Sequence, residues 1–385
     1  MAGETKKLPQ ILASFAATVG SFGLGTGLAW SSPALPFLVG CNLPDMPSGY
    51  DPDKSNCTLP VSFSDEEGSW IGSMFNIGAL VAAFATGLLM PAIGRKWTMI
   101  LLSVPFIIGW ICLIIPAYKT DISSPALFLV GRFFTGVGGG GFALAPPVYI
   151  SEITETSIRG AMGSVMQFML TIGIAVVNAM GIENAVDWGI ITILCVIPPG
   201  KKSALLSEYV ATFSAFINQS SVFVFLAASA GAMFFMPESP YYLISKENEA
   251  KALASLQWLR GTKNVSGEMD ELKRAYREQA SLGNLGYKKL FTDGVYLRPF
   301  LIMIALMFFQ QFAGINAVLF YLKDVFIKAG STMDPGLSAF IIGIVQVNSK
   351  MFFSSLEFKK SILLKRWWLQ ELPLPLSTSL AANLC

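Results

Sequence analysis

The chain is dominated by long apolar runs, near residues 10–30, 69–91, 98–117, 126–147, 160–182, 187–198 with 222–236, 299–322, and a last one beginning near 337. A stretch of roughly 20 apolar residues crosses the hydrocarbon layer of a bilayer. A helix that is apolar on every face has to be enclosed by protein or by lipid. Inside lipid, backbone N–H and C=O groups must pair within their own segment or within a closed barrel. Run length and the lack of two-residue alternation select helices. Composition agrees: 53% of the 385 residues are hydrophobic and 14% are charged, against about 25% charged in a soluble domain. The fold class is therefore an all-α polytopic membrane protein. The first run lacks a short apolar core with a cleavage site and continues through Gly23, Gly25, Gly27 and Trp30 toward Pro33. It reads as a retained span, not a signal peptide.

Basic residues set the orientation. With Lys6 and Lys7 cytoplasmic, the same side receives Arg95, Lys96 and Arg159, and also the polar segment 238–298 with its ten lysines and arginines from Lys246 to Arg298. The first loop on the other side, 41–65, holds Lys54 against Asp45, Asp51, Asp53 and Asp65. It also carries Asn56-Cys57-Thr58, a glycosylation acceptor if it faces the lumen. The sequons at Asn218 and Asn264 read as silent, one beside a span and the other on the cytoplasmic side. The acceptor at Asn56 favours a plasma-membrane glycoprotein with a cytoplasmic N-terminus. Cys41 and Cys57 either pair or stay free thiols. The chain has no histidine, which excludes His-based metal sites, bases and proton relays. No nucleophile–base pair or metal cluster supports an enzyme, and nothing calls for a cofactor, a metal or a nucleic-acid partner.

Motifs recur in order along the chain. The loop after the second span ends in Gly94-Arg95-Lys96. The fourth span opens with Gly131-Arg132, runs through Gly136 and Gly138–Gly141, and closes with Pro147-Val148-Tyr149-Ile150-Ser151-Glu152 before Arg159-Gly160. The sixth ends in Pro237-Glu238-Ser239-Pro240-Tyr241-Tyr242-Leu243, and the seventh holds Gln310-Gln311-Phe312-Ala313-Gly314-Ile315-Asn316, then Phe320-Tyr321. Together these resemble the sugar porter branch of the major facilitator superfamily, and within it facilitated trehalose transporters. The resemblance covers about residues 10–347. It implies an N-terminal six-helix bundle (1–240), a cytoplasmic helical linker (241–298) and a partial C-terminal bundle of spans seven and eight (299–347), with spans nine to twelve missing.

The glycines do not form a phosphate loop: they lie inside an apolar span with no preceding strand and no Lys-Ser/Thr. Close helix packing accounts for them. Gln310, Gln311 and Asn316, with Gln167 in the fifth span, are amides in apolar surroundings and need partners there. Helical spacing puts Gln310, Gly314 and Ala317 on one face, with Gln311 and Ile315 beside it. From chemistry alone these amides either read sugar hydroxyls or bond a neighbouring helix. The resemblance implies substrate contacts at Gln167, Gln310, Gln311, Asn316, Phe320, Tyr321 and Gln346. It also implies a salt-bridge latch between the halves, which opens in alternating access, among Arg95, Glu152, Arg159 and Glu238. Arg132, at or inside the fourth span, needs a partner or a wet path. Proton-coupled relatives carry an acid in the first span, whereas Gln10–Trp30 contains no Asp or Glu. Facilitated diffusion of a sugar such as trehalose or a hexose is the functional reading, with a non-transporting truncated isoform as the alternative.

Three departures qualify the resemblance. Pro91 and Ala92 stand where the loop motif usually has an acid and a base. Residues 199–221, with Lys201, Lys202 and Glu208, split the sixth span, so a replacement span near 209–236 is expected. Residues 348–385 form an atypical tail, basic and aromatic around Lys365-Arg366-Trp367-Trp368, and both odd segments read as unspliced sequence. In the linker, Glu247 and Lys251 are placed as an i, i+4 helical pair.

Overall fold

The computed structural model describes residues 6–39, 63–118, 125–180, 229–283, 294–330, 333 and 335–349. The apolar runs among them are helices: α1 (Leu8–Ala29), α2 (Ser31–Val39), α3 (Asp65–Ile93), α4 (Arg95–Tyr118), α5 (Pro125–Ile153) and α6 (Arg159–Met180). Helical residues 229–235 form α7. They are followed by α8 (Pro240–Ser245), α9 (Glu249–Arg260), α10 (Ser266–Gly283), α11 (Gly294–Phe312), α12 (Ile315–Phe320), α13 (Leu322–Lys328) and α14 (Pro335–Ser349). Among the described residues, six stretches are long and apolar enough to cross a membrane: Leu8–Leu35, Asp65–Ile93, Arg95–Ile115, Pro125–Ile153, Arg159–Ala179 and Leu297–Phe320. The insert 199–221, Asn56, the cysteines other than Cys112, and the tail beyond residue 349 lie outside the described residues. Of the expected replacement span, only the part from 229 onward lies inside them.

Local chemistry sets the span ends. The Ser64 hydroxyl accepts the N–H of Glu67, while the Glu67 carboxylate accepts the N–H of Ser64 at 2.9 Å. This reciprocal cap satisfies two donors that the first turn of α3 cannot use. Asp65, Glu66 and Glu67 also place negative charge at the positive end of that helix. At the other end Gly94 turns the chain into α4 within one residue, at φ +97°. Only glycine takes that conformation at little cost.

α5 is the hub, packed against α1, α3 and α4. Its glycines admit neighbouring backbone: a Cβ at Gly140 would lie 2.6 Å from Ala79 Cα, and one at Gly136 would lie 2.9 Å from the Phe75 carbonyl carbon. Gly131 and Gly138 likewise receive Leu113 and Phe106 of α4. Small residues at such spacing let helices approach closely in lipid, where apolar burial no longer drives helices together. α1 packs on α6 through Gly25 and Gly173. The buried aromatic core around Phe106, Trp110, Phe142 and Tyr149 fills the space between these seams.

The linker helices α8, α9 and α10 share a small core of their own, formed by Ile244, Ala252, Leu256, Val265 and Met269. The expected helical pair of Glu247 with Lys251 does not form, because Glu247 sits at φ 57° outside the helix. Asn248 caps α9 instead, accepting the N–H of Lys251, and Lys273 pairs with Glu249 at 2.6 Å. Helix α11 begins at Gly294, three residues before the membrane-length stretch, and the chain breaks at Gly314 (φ 69°) before α12.

Candidate functional site

Arg132, in the first third of α5, has no exposed surface. Its guanidinium donates to the carbonyls of Gly27 at 2.7 Å and Ile71 at 3.3 Å. It also lies over the rings of Trp30 (5.1 Å) and Phe75 (4.8 Å). A buried charge has to be paired or heavily hydrogen bonded. Here the partners are main-chain oxygens and two aromatic faces, worth about 2 kcal/mol or more per face when desolvated. No ion pair of Arg132 with a carboxylate occurs among the described residues. Acid could not be added easily at Gly25, whose Cβ would meet the Leu170 carbonyl carbon at 2.9 Å and Gly173 Cα at 3.2 Å.

The seventh span approaches this cage from one end. Phe320 is buried with its ring edge-on to Phe75 at 6.4 Å. Tyr321 lies against α3, its hydroxyl 3.1 Å from where a Cβ on Gly72 would stand. The Lys323 N–H donates to the Ser32 hydroxyl at 3.3 Å. The other half of the span has different surroundings. Every residue from Leu301 to Ala313 is exposed, including Gln310 and Gln311. Asn316 donates to Gln311 at 3.0 Å, which joins two of the amides across the break at Gly314. Gln167 lies exposed on α6, and Gln346 is half-buried on α14, which packs Gly343 against Ala175 of α6. The structure therefore gathers Phe320 and Tyr321 at the Arg132 cage and leaves Gln310 and Gln311 on an open helix face.

The charged motifs converge elsewhere, where α3, α4, α5 and α7 end. Arg95 pairs with Glu152 at 2.8 Å, both side chains largely buried at 12% and 14% exposure. The second oxygen of Glu152 accepts from the Ser239 hydroxyl at 2.6 Å. Among the described residues Glu238 makes no ion pair with a guanidinium; its carboxylate accepts the backbone N–H groups of Arg95 (3.0 Å), Lys96 (3.1 Å) and Ser239 (2.9 Å). It thereby caps α4 from a distance of 143 residues along the chain. Burial pushes its pKa above the usual carboxylate range, and the three N–H donors and the Arg95 charge oppose that shift. Tyr149 donates to the Pro237 carbonyl at 2.7 Å and Lys96 to the Phe234 carbonyl at 2.7 Å. Arg159 stands apart, donating to the Thr154 carbonyl at 3.2 Å. These described contacts all lie within the first half and the linker.

A second charged cluster was not anticipated from sequence. Arg260, at the end of α9, is almost fully buried. It donates to the Ile153 carbonyl at 2.9 Å, to the Glu268 carboxylate at 2.8 Å, and approaches Glu155 at 3.5 Å. Glu155 in turn exchanges two hydrogen bonds with the buried Gln10, at 2.9 and 3.0 Å. A polar Gln10 at the start of an apolar run was the available signal, since a buried amide needs both donors and acceptors.

The family model described as "Sugar (and other) transporter" matches residues 46–207 and 209–356. The chain is 31% identical over 337 residues to a facilitated trehalose transporter, Tret1, of Culex quinquefasciatus, covering 87% of the chain and 56% of that protein. It is 32% identical to the Bombyx mori counterpart, covering 87% and 56%. It is 31% identical to the Bos taurus solute carrier family 2, facilitated glucose transporter member 8, covering 87% and 58%. The chain thus spans a little over half the length of these relatives. Among solved structures, the proton:xylose symporter XylE bound to 6-bromo-6-deoxy-D-glucose superimposes with a TM-score of 0.66 at 21% identity, covering 91% of this chain and 70% of that one. That likeness shows a shared major facilitator fold.

Proposed function

We propose, for a chain that belongs to the sugar (and other) transporter family, that it carries a sugar such as trehalose or a hexose across a membrane by facilitated diffusion. Its relatives named for facilitated trehalose and glucose transport support the substrate class. The observation that carries the uncoupled mode is Arg132, whose charge is held by two backbone carbonyls and two rings. A proton-coupled site needs a side chain that titrates near working pH. The first span supplies none beside Arg132, and the α1–α6 seam at Gly25 leaves no room for one.

In this reading the amides Gln167, Gln310, Gln311, Asn316 and Gln346 hydrogen bond sugar hydroxyls, and Phe320 and Tyr321 give the sugar's C–H faces a surface. Arg95, Glu152 and Glu238 hold the cytoplasmic ends of the first bundle in one arrangement while access alternates. The N-terminus lies in the cytoplasm, the protein reaches the plasma membrane, and Asn56 is glycosylated. Residues 1–240 form the first bundle, 241–298 the linker, and 299–347 the spans that face the first bundle.

The test is uptake of labelled trehalose and glucose into liposomes containing the full chain. Saturable uptake that persists when a protonophore collapses the pH gradient is the expected result. Uptake lost with the gradient would overturn the uncoupled mode, and no saturable uptake of either sugar would overturn the carrier reading.

A further inference from the structure

Helix α9 is tied to the bundle at the ends of three separate segments. The Ser255 hydroxyl, in its middle, donates to the Glu238 carbonyl at 2.6 Å, just past α7. Arg260, at its end, donates to the carbonyl of Ile153, the last residue of α5. The Arg260 carbonyl accepts the N–H of Lys6, two residues before α1, at 2.9 Å. Helix α9 is thus fastened at its middle and its end beside the termini of α7, α5 and α1, against one end of the bundle. The membrane boundary is marked by α1, whose first turns expose Leu8, Ile11, Leu12 and Phe15 directly after the exposed Lys6 and Lys7.

The faces of α9 divide cleanly. Leu259 joins the bundle core, and Ala252 and Leu256 join α8 and α10. The sole acidic residue of the helix, Glu249, pairs with Lys273 of α10. Positions 251, 254 and 258 share the remaining face by their i, i+3, i+7 spacing, and all three are exposed, Trp258 by 41%. That face is Lys-Ala-Trp. An aromatic ring with one polar edge and a snorkelling lysine are the side chains that settle at a membrane–water interface. Basic residues near the surface are further drawn to anionic lipid.

We infer that α9 is an interface helix that seats Trp258 and Lys251 in the headgroup layer of the leaflet where α1 enters the membrane, with anionic phospholipid as the occupant of this face. Lys6, Lys7 and Lys251 supply the charge complement. The inference rests on the chain spanning a bilayer and not on sugar carriage, so a failed uptake assay leaves it standing.

The experiment uses the full chain in nanodiscs, comparing the native protein with Trp258→Phe so that the difference in tryptophan emission reports Trp258 alone. In discs whose lipids carry bromine next to the headgroup, that difference emission should fall by about half, as for a ring at headgroup depth. Aqueous iodide should change it less. Quenching by iodide without quenching by bromine would place Trp258 in water and overturn the inference. Quenching by neither would place it under protein and overturn it too. Replacing phosphatidylserine with phosphatidylcholine should weaken the bromine effect in the native chain and leave Lys251→Glu unchanged. Equal quenching of the native chain in both lipids would overturn the anionic component.

Discussion

Gly140→Ala tests whether close backbone approach holds the first bundle together. The new Cβ would stand 2.6 Å from Ala79 Cα, 2.8 Å from its Cβ and 2.9 Å from its oxygen. Carbon atoms settle at about 3.5–4.0 Å, so α3 and α5 must part there by about 1 Å. Nothing at the site is a flexible side chain that could turn aside. Overpacking of this kind costs about 1–3 kcal/mol. Parting the seam also weakens contacts along its length, because a gap of about 0.5–1 Å forfeits a quarter to a half of each contact's attraction. The neighbouring points at Gly78 and Gly136 would feel the same separation. A loss of about 2–4 kcal/mol is therefore expected. The control is Gly87→Ala on α3, where an added Cβ has no heavy atom within 4 Å. It should be neutral or slightly stabilising, by at most about 1 kcal/mol from helix propensity. Thermal unfolding of the full chain in detergent, followed by circular dichroism, compares the two. If both substitutions move the midpoint equally, glycine contact between α3 and α5 is not what sets the packing.

Other perturbations address the charged groups. Glu152→Ala strands the largely buried Arg95 guanidinium and the Ser239 hydroxyl, and should cost about 3–5 kcal/mol in the same unfolding assay; a shift no larger than that of an exposed Glu249→Ala would refute the pairing's importance. Glu238 holds its proton to higher pH when folded than when unfolded. Its contribution to stability is thus full below the ordinary glutamate pKa of 4.5 and lost as pH rises through the raised value. Unfolding midpoints measured from pH 7 down toward 4.5 should fall less steeply, or rise more, for the native chain than for Glu238→Gln, and parallel profiles would discount the burial of this carboxyl. Arg132→Lys retains the charge but cannot reach both carbonyls and lie flat on both rings. It should lose about 2–4 kcal/mol of stability, and wild-type stability in that variant would mean the cage is not specific for guanidinium.

What the sequence disclosed follows the range of each interaction. The spans of α1, α3 to α6 and α11 were readable because an apolar run of membrane length is a local property. The glycines of α5 were readable as packing residues for the same reason, and the structure names their partners, Phe75, Ala79, Leu102 and Phe106. That Arg132 needs a partner also followed from its place in an apolar run. That the partners are the carbonyls of Gly27 and Ile71 did not, since every residue carries a carbonyl and only the fold decides which ones point inward. The failed Glu247–Lys251 pair shows a limit at short range. Asn248 is the stronger capping residue, so the helix starts after it and Glu247 falls outside. Gln10 meets Glu155 at a sequence separation of 145, and Arg260 meets Ile153 at a separation of 107, and no local pattern could have matched them.

The two charged clusters together change how the linker should be pictured. One ties Glu238 and Ser239 to the start of α4 and the end of α5. The other ties Arg260 to the end of α5 and, through Glu155, to the start of α1. Helices α8 and α9 lie between these fastenings, and α10 is held to them by Glu268, Glu249 and the shared core. Breaking a buried, hydrogen-bonded charge pair costs several kcal/mol, so shearing the linker off the first bundle would mean breaking several such contacts at once. Among the described residues the seventh span has no comparable anchor along Leu301–Ala313, where every residue is exposed. Its firm contacts among the described residues lie in Leu319–Lys323, against α1, α2, α3 and α6. A motion of the seventh span relative to the first bundle would then pivot near Phe320 and Tyr321, beside Arg132, while α8, α9 and α10 travel with the first bundle as one body.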